Sequence, residues 1–114
     1  MRLLLLPLLF AACLVAHDKK GKAHAPASAK SLKNPLPATE AAAGKDDYQA
    51  LCAGCHSAKG KGPDLTSHHM HMLKDGEIFW VITNGIGKTM PAFKSQLSDA
   101  DRWRIVLYVR QLSR

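Results

Sequence analysis

The sequence predicts an all-α protein with three to four short helices. Apolar residues of the C-terminal two thirds recur at helical spacing, no segment alternates with the period of two expected for a strand, and capping residues or Gly- and Pro-containing loops bound each periodic segment. The chain has 114 residues, which is room for one small domain with appendages. Its three cysteines are too few for a disulfide-stapled miniprotein.

The N-terminus has the pattern of an export signal over residues 1–16. Residues 3–16 form an apolar run that follows Arg2 and is shorter than the roughly 20 residues that span a membrane. The Phe-Ala-Ala-Cys13 stretch resembles the lipobox of bacterial lipoproteins, in which the cysteine is lipidated, although Phe10 stands where a smaller aliphatic residue is usual. Cleavage after Ala16 and an uncleaved anchor are the alternatives. All three place the following domain outside the cytoplasm, periplasmic or held at the membrane.

Residues 17–43 read as a flexible linker. They are rich in Ala, Lys, Pro and Ser and contain no aromatic residue. Such a composition buries too little apolar surface to offset its ordering entropy. The structured domain is therefore predicted over residues 44–114.

The first two helices of this domain are predicted from periodicity and from their ends. The first begins near Gly44 and carries Tyr48 and Leu51 at helical spacing. A loop rich in Gly, Lys and Ser follows over 57–67. The second helix begins near Asp75, as its cap, and ends at the Asn84-Gly85 pair.

The last helix has the clearest start signal. Ser98-x-x-Asp101 resembles a capping box, and the helix is predicted to run to about Leu112. Ile105 and Tyr108 belong to one apolar face of it. A domain of about 70 residues with short helices usually needs a metal, disulfide or cofactor to complete its core.

The segment Cys52-Ala53-Gly54-Cys55-His56 is the C-x-x-C-H motif of c-type haem attachment. Two thiols on one face of a helical turn can add to the two haem vinyl groups as thioethers. The adjacent His56 is then held beneath the iron and offers a neutral imidazole nitrogen. The motif predicts one covalently bound haem c.

From Gly44 to Leu112 the chain resembles the class I mono-haem cytochromes c. Besides the haem motif, the resemblance rests on Gly62-Pro63-Asp64-Leu65, Asn84-Gly85-Ile86, Met90-Pro91, Trp103 and Tyr108-Val109. It implies a small cytochrome c fold wrapped around one haem, with His56 and Met90 as the axial ligands of the iron. It also implies that the Pro63 carbonyl bonds the outer nitrogen of His56, and that Tyr108 lies near Tyr48.

This ligand set implies a one-electron carrier between protein redox partners and not an enzyme. With both axial positions filled by protein, the iron is limited to cycling between Fe(II) and Fe(III), and thioether ligation favours the reduced state. A haem enzyme or gas sensor, such as a small peroxidase, is the rival class, and it would need an exchangeable sixth position. Met70 and Met72 are the other candidate thioethers, but they lack the Gly-rich, Met-Pro context of Met90.

Parts of the sequence also match three other site chemistries. A thiol redox pair would be expected at the end of a strand, which is absent from the pattern. A zinc site over Cys52, Cys55, His68 and His71 nearly matches finger spacing, but the two histidines are one residue too close. The run His68-His69-Met70-His71-Met72 combines ligands that suit copper, and it equally fits a solvated loop, or a histidine that competes with Met90 for the iron.

The net charge of +7 does not indicate nucleic-acid binding. Residues 44–114 contain ten Lys and Arg against seven acids, without a basic run. The lysines near the predicted haem loops form a candidate basic rim for an acidic partner, and they are Lys59, Lys61, Lys88 and Lys94. We expect a monomer, associated with the membrane if Cys13 is lipidated.

Overall fold

The computed structural model describes residues 25–57 and 59–114. Its α-helices are α1 (Ala41–Leu51), α2 (Ala53–His56), α3 (Asp75–Asn84) and α4 (Asp99–Leu112). Short 3-10 helices cover Ala27–Ser31, Ala38–Glu40 and His68–Met72. No β-strand occurs among the described residues, and the predicted all-α class is confirmed. The export signal over 1–16, with Cys13, lies outside the described residues.

Helices α1 and α4 form the centre of the fold, and they cross in close contact. Helix α1 begins at Ala41, ahead of the predicted start near Gly44. A Cβ atom at Gly44 would overlap the backbone carbonyl of Arg104, so the crossing requires glycine there. One turn further along, the rings of Tyr48 and Tyr108 pack with centroids 5.0 Å apart. The two tyrosines are therefore in contact, as expected.

Helix α3 packs on α4 through an aromatic stack. The Phe79 and Trp103 rings lie nearly parallel at 3.9 Å between centroids. The buried guanidinium of Arg102 lies 5.0 Å from the centre of the Phe79 ring and also contacts Thr83 and Asp99. The most buried β-branched aliphatic side chains belong to the same two helices: Ile78, Ile82, Ile105, Val106 and Val109.

The ends of α3 and α4 follow local capping chemistry. At the start of α4, the Ser98 hydroxyl accepts a hydrogen bond from the Asp101 amide at 3.1 Å and donates one to its carboxylate at 2.8 Å, so the predicted cap is present. At the start of α3, Lys74 is the cap position and Asp75 the first helical residue. The cap therefore lies one residue before the predicted Asp75, and the Glu77 carboxylate accepts from the amide of this cap residue at 2.6 Å.

The region predicted as a flexible linker packs on the domain over residues 25–43. Ala29 is 2% exposed, and the Asn34 side-chain amide donates to the Trp103 carbonyl at 3.0 Å. The Glu40 carboxylate accepts from Arg104 Nε at 2.8 Å. Small buried side chains and side-chain-to-backbone hydrogen bonds hold this segment against the domain. Such contacts cannot be predicted from composition alone. Residues 17–24 of the predicted linker lie outside the described part.

Candidate functional site

The two cysteines of the C-x-x-C-H motif lie on one helical turn at the end of α1. The Cys55 and His56 amides donate to the Cys52 carbonyl at 3.2 and 3.0 Å, which closes the turn. Cys52 is buried in the hydrophobic core, whereas Cys55 is exposed. Neither cysteine forms a disulfide. The turn thus presents one thiol from the core and one from the surface.

The Cys52 thiol is held in its protonated form. Burial raises its pKa to about 11, and the negative charge of Asp47 adds to this effect. A thiol redox pair relies instead on a lowered cysteine pKa. The electrostatics of the turn therefore do not favour thiol–disulfide chemistry.

A carbonyl behind the ring fixes the tautomer of His56. Its Nδ1 lies 2.9 Å from the Pro63 carbonyl oxygen. Because a carbonyl only accepts, Nδ1 donates its proton, and Nε2 carries the lone pair that can bind a metal. The bond that the family resemblance implied is present.

The loop that supplies this carbonyl approaches His56 closely because residue 62 is glycine. The Gly62 amide donates to the Cys55 carbonyl at 2.8 Å. A Cβ atom at this position would lie 2.8 Å from His56 Nδ1 and 2.9 Å from the Cys55 oxygen. A larger residue would push the loop, and with it the Pro63 carbonyl, away from the imidazole.

Met90 lies on a stiffened loop after α3. The helix ends at Gly85, which adopts a positive φ of 71°. Ile86 and Met90 then pair as an isolated antiparallel bridge, with N···O distances of 2.9 and 3.2 Å. After Pro91, the Phe93 amide donates to an α3 carbonyl at 3.0 Å. The half-buried Met90 side chain packs against the same core cluster as Cys52.

The other two methionines have different environments. Met70 is 9% exposed and belongs to the core, whereas Met72 is 80% exposed. Their surroundings make Met70 a packing residue and leave Met72 in solvent. Neither lies on a loop comparable to that of Met90.

The histidine-rich 3-10 helix does not gather its side chains around one point. The His68 and His69 rings stack at 4.8 Å, Met70 enters the core, and His71 Nε2 contacts the Ser113 carbonyl at 2.6 Å. Among the described residues, no group of three or more His, Cys, Asp or Glu side chains could hold a metal ion. The described residues therefore contain no zinc site of the kind that the spacing of the cysteines and histidines suggested.

Arg110 of α4 holds the end of this 3-10 helix, and sequence reasoning missed it. Its guanidinium donates to the Met70 carbonyl at 2.6 Å and to the Leu73 carbonyl, and its Nε donates to Asp75 at 2.6 Å. An arginine in the last turn of a helix is ordinary, so the sequence carries no signal for this clamp. Buried Arg102, near the start of α4, was also missed, because a single charged residue in an amphipathic helix predicts an exposed position.

The four donors of the predicted site fit haem c. Two thiols on one turn, an imidazole with a fixed tautomer and a thioether on a stiff loop are the groups that this cofactor uses. The lysines of the candidate basic rim are exposed on the loop that follows His56 and on the segments around Met90. In the part of the chain that the structure describes, no helix is long and apolar enough to cross a membrane.

Comparisons with known proteins cover the same region. The family model described as "Cytochrome C oxidase, cbb3-type, subunit III" matches residues 39–109. The chain is 34% identical over 89 residues to cytochrome c6 of Picosynechococcus sp., which covers 66% of this chain and 75% of that protein. It is 37% identical over 79 residues to cytochrome c6 of Leptolyngbya boryana, which covers 61% of this chain and 89% of that protein. No solved structure matches the chain.

Proposed function

Because this chain belongs to the mono-haem c-type cytochromes, and is thus an electron carrier with one covalently bound haem c rather than an enzyme, we propose which of its residues form the redox site. Cys52 and Cys55 bind the haem as thioethers, and His56 and Met90 are the axial ligands of its iron. When bound, the haem supplies one iron that accepts and releases a single electron.

The cysteine turn and the Pro63 loop orient the proximal ligand. The bond from His56 Nδ1 to the Pro63 carbonyl at 2.9 Å supports this role, because it leaves Nε2 unprotonated and limits rotation of the ring. This contact is the observation that carries the assignment. Placing Cys52 in the core and Cys55 at the surface gives the site one buried and one accessible edge.

Met90 would be the second protein ligand of the haem iron. Its loop is held by the bridge to Ile86 and by the bonds that follow Pro91, so the thioether needs little reorganisation when the charge on the iron changes. With Met90 as the sixth ligand, the iron would have no open coordination position for oxygen or a small substrate. Thioether ligation and burial both raise the reduction potential.

The basic rim is the proposed contact for redox partners. Its members are exposed and lie on the two loops of the site: Lys59, Lys61, Lys88 and Lys94. Positive side chains around an electron-transfer edge steer an acidic partner and accelerate encounter. Transient redox complexes are small, so a few charges are sufficient to orient them.

We place the protein outside the cytoplasm, because residues 1–16 have the pattern of an export signal. Cys13 is the proposed lipid attachment point. Cys13 lies twelve positions before Ala25, the first described residue, and a fully extended chain of that length reaches at most about 40 Å. A lipidated chain would therefore hold the folded part close to the membrane.

Visible absorption spectroscopy of the purified holoprotein tests the ligand assignment. The reduced protein should be low-spin and inert to carbon monoxide, whereas Met90→Ala should bind carbon monoxide and have a lower potential. Met72→Ala is the matched control, because Met72 lies in solvent, and it should match the native spectrum and potential. An unchanged Met90→Ala spectrum would assign the sixth ligand elsewhere. Haem that separates from the polypeptide in acidified organic solvent would refute covalent attachment through Cys52 and Cys55.

A further inference from the structure

A shallow groove lies between the N-terminal segment and α4, apart from the cysteine turn and the Met90 loop. Its volume is about 750 Å³. The floor is formed by parts of α4 and of the segment after the first 3-10 helix, including Leu36 and Leu107. The exposed side chains along its walls are Lys30, Leu32, Lys33, His71, Leu73 and Lys74.

The groove is positively charged. Lys30, Lys33 and Lys74 are exposed on its walls, while the carboxylate of Asp75 is bound by Arg110 Nε at 2.6 Å. The nearby Glu77 carboxylate accepts from the Lys74 backbone amide at 2.6 Å and lies 3.9 Å from Lys30 Nζ. Arg110 thus offsets the charge of Asp75, Lys30 partly offsets that of Glu77, and the groove keeps a net positive charge.

Two large apolar side chains lie among these lysines. Leu32 is 44% and Leu73 is 40% exposed, and both belong to the groove. Protein-binding surfaces are enriched in Tyr, Trp and Phe at their centre, whereas none of these side chains lines this groove. Exposed leucines flanked by lysines instead match a surface that inserts apolar groups between anionic lipid headgroups.

The position of the groove along the chain agrees with a membrane partner. Lys30 follows Ala16, the last residue of the N-terminal apolar run, by 14 residues. Even fully extended, that length reaches only about 50 Å. If the apolar run is held in a membrane, this tether therefore keeps the groove within reach of the lipid surface.

We propose that this groove is a docking surface for the anionic phospholipid headgroups of the membrane that the exported protein faces. The inference rests on the proposed extracytoplasmic location and is separate from the haem site. Docking through this face leaves the basic rim around the Met90 loop available to redox partners. The protein can then exchange electrons while it lies on the membrane.

Vesicle binding of the exported holoprotein tests the proposal. Partition is compared between phosphatidylcholine vesicles and vesicles with about one third phosphatidylglycerol, so that attachment through the N-terminus alone cancels in the ratio. Each lysine near an anionic surface contributes about fivefold, so Lys30→Gln/Lys33→Gln/Lys74→Gln should lower the ratio on the order of a hundredfold. Added salt should lower the native ratio as well. Leu73→Gln should reduce binding to the anionic vesicles several-fold.

The matched control removes the same charge at another face, through Lys59→Gln/Lys61→Gln/Lys88→Gln. This variant should keep most of the native ratio. An equal loss in both triple variants would mean diffuse attraction by the net charge and would overturn the proposal. An unchanged ratio in the groove variant, together with slower electron transfer to an acidic protein, would assign the groove to a protein partner and would also overturn it. The absorption spectrum and potential of each variant report the haem site independently, so failure of one proposal is distinguishable from failure of the other.

Discussion

Replacing Gly62 by alanine tests the link between chain packing and the proposed axial histidine. The added Cβ would lie 2.8 Å from His56 Nδ1 and 2.9 Å from the Cys55 carbonyl oxygen, well inside ordinary van der Waals contact. Relief requires the loop to move by roughly half an ångström, because the Cys55 carbonyl belongs to a helical turn and cannot yield. The bond from His56 Nδ1 to the Pro63 carbonyl, now 2.9 Å, would then be stretched beyond useful length.

The expected magnitude combines two costs. Overpacking of a close contact costs about 1–3 kcal/mol, and loss of one hydrogen bond costs about 1 kcal/mol. Alanine restricts the unfolded chain more than glycine does, and this effect raises the free energy of unfolding by about 0.4–1 kcal/mol. The overpacking and hydrogen-bond costs exceed this gain, and we expect Gly62→Ala to lower the free energy of unfolding by about 1–4 kcal/mol.

Guanidinium unfolding of the holoprotein, followed by circular dichroism, measures this change, and potentiometry measures the effect on the ligand. Pro63→Ala is the matched control, since it keeps the backbone carbonyl and should leave the His56 bond and the potential nearly unchanged. A merely structural role for the loop would lower stability in Gly62→Ala without altering the potential. Native stability and native potential in Gly62→Ala would refute the reasoning.

Two further predictions concern contacts made by α4. Ser98→Ala should destabilise the protein by about 1 kcal/mol, because the Asp101 amide loses its cap. The Ser98 hydroxyl also holds the pKa of Asp101 below its ordinary value, so this stabilisation is full above that value and is lost as the pH falls through the lowered pKa. The stability difference between the native protein and Ser98→Ala should therefore narrow in acid to the part that the amide cap contributes, and parallel pH profiles would contradict this. Arg110→Met keeps the aliphatic stem but removes bonds to two backbone carbonyls and to Asp75. It should cost about 2–3 kcal/mol, whereas Asp75→Asn should cost less than about 1 kcal/mol. Equal losses in thermal unfolding would assign the effect to the ion pair.

Local signals in the sequence were sufficient for much of the fold. The end of α3 at Gly85 and the start of α4 after Ser98 were predicted, because caps and turns depend on residues only a few positions apart. The all-α class followed from the same short-range periodicity. The first helix was less well bounded: it begins at Ala41 and not near Gly44, because an alanine-rich stretch gives little sign of where a helix starts.

Long-range contacts were not accessible in this way. The predicted linker packs on the domain because Asn34 bonds the Trp103 carbonyl, a partner 69 positions away. The clamp of Arg110 on the Met70 carbonyl spans 40 positions. Neither contact alters composition or periodicity, since each uses an ordinary polar side chain and a backbone group whose position is set by another helix.

The chemistry of this protein was determined by its sequence, whereas the geometry of the site was decided by its tertiary structure. Cys52, Cys55 and His56 lie within five consecutive residues, so their spacing alone was sufficient to predict a covalently bound haem c. Only folding brings the Pro63 carbonyl to His56 Nδ1 and separates Met90, on its bridged loop, from Met70 in the core. The physical reason is the range of the interactions: local residue spacing sets bonding chemistry, while the position of a ligand depends on how helices distant in sequence pack together.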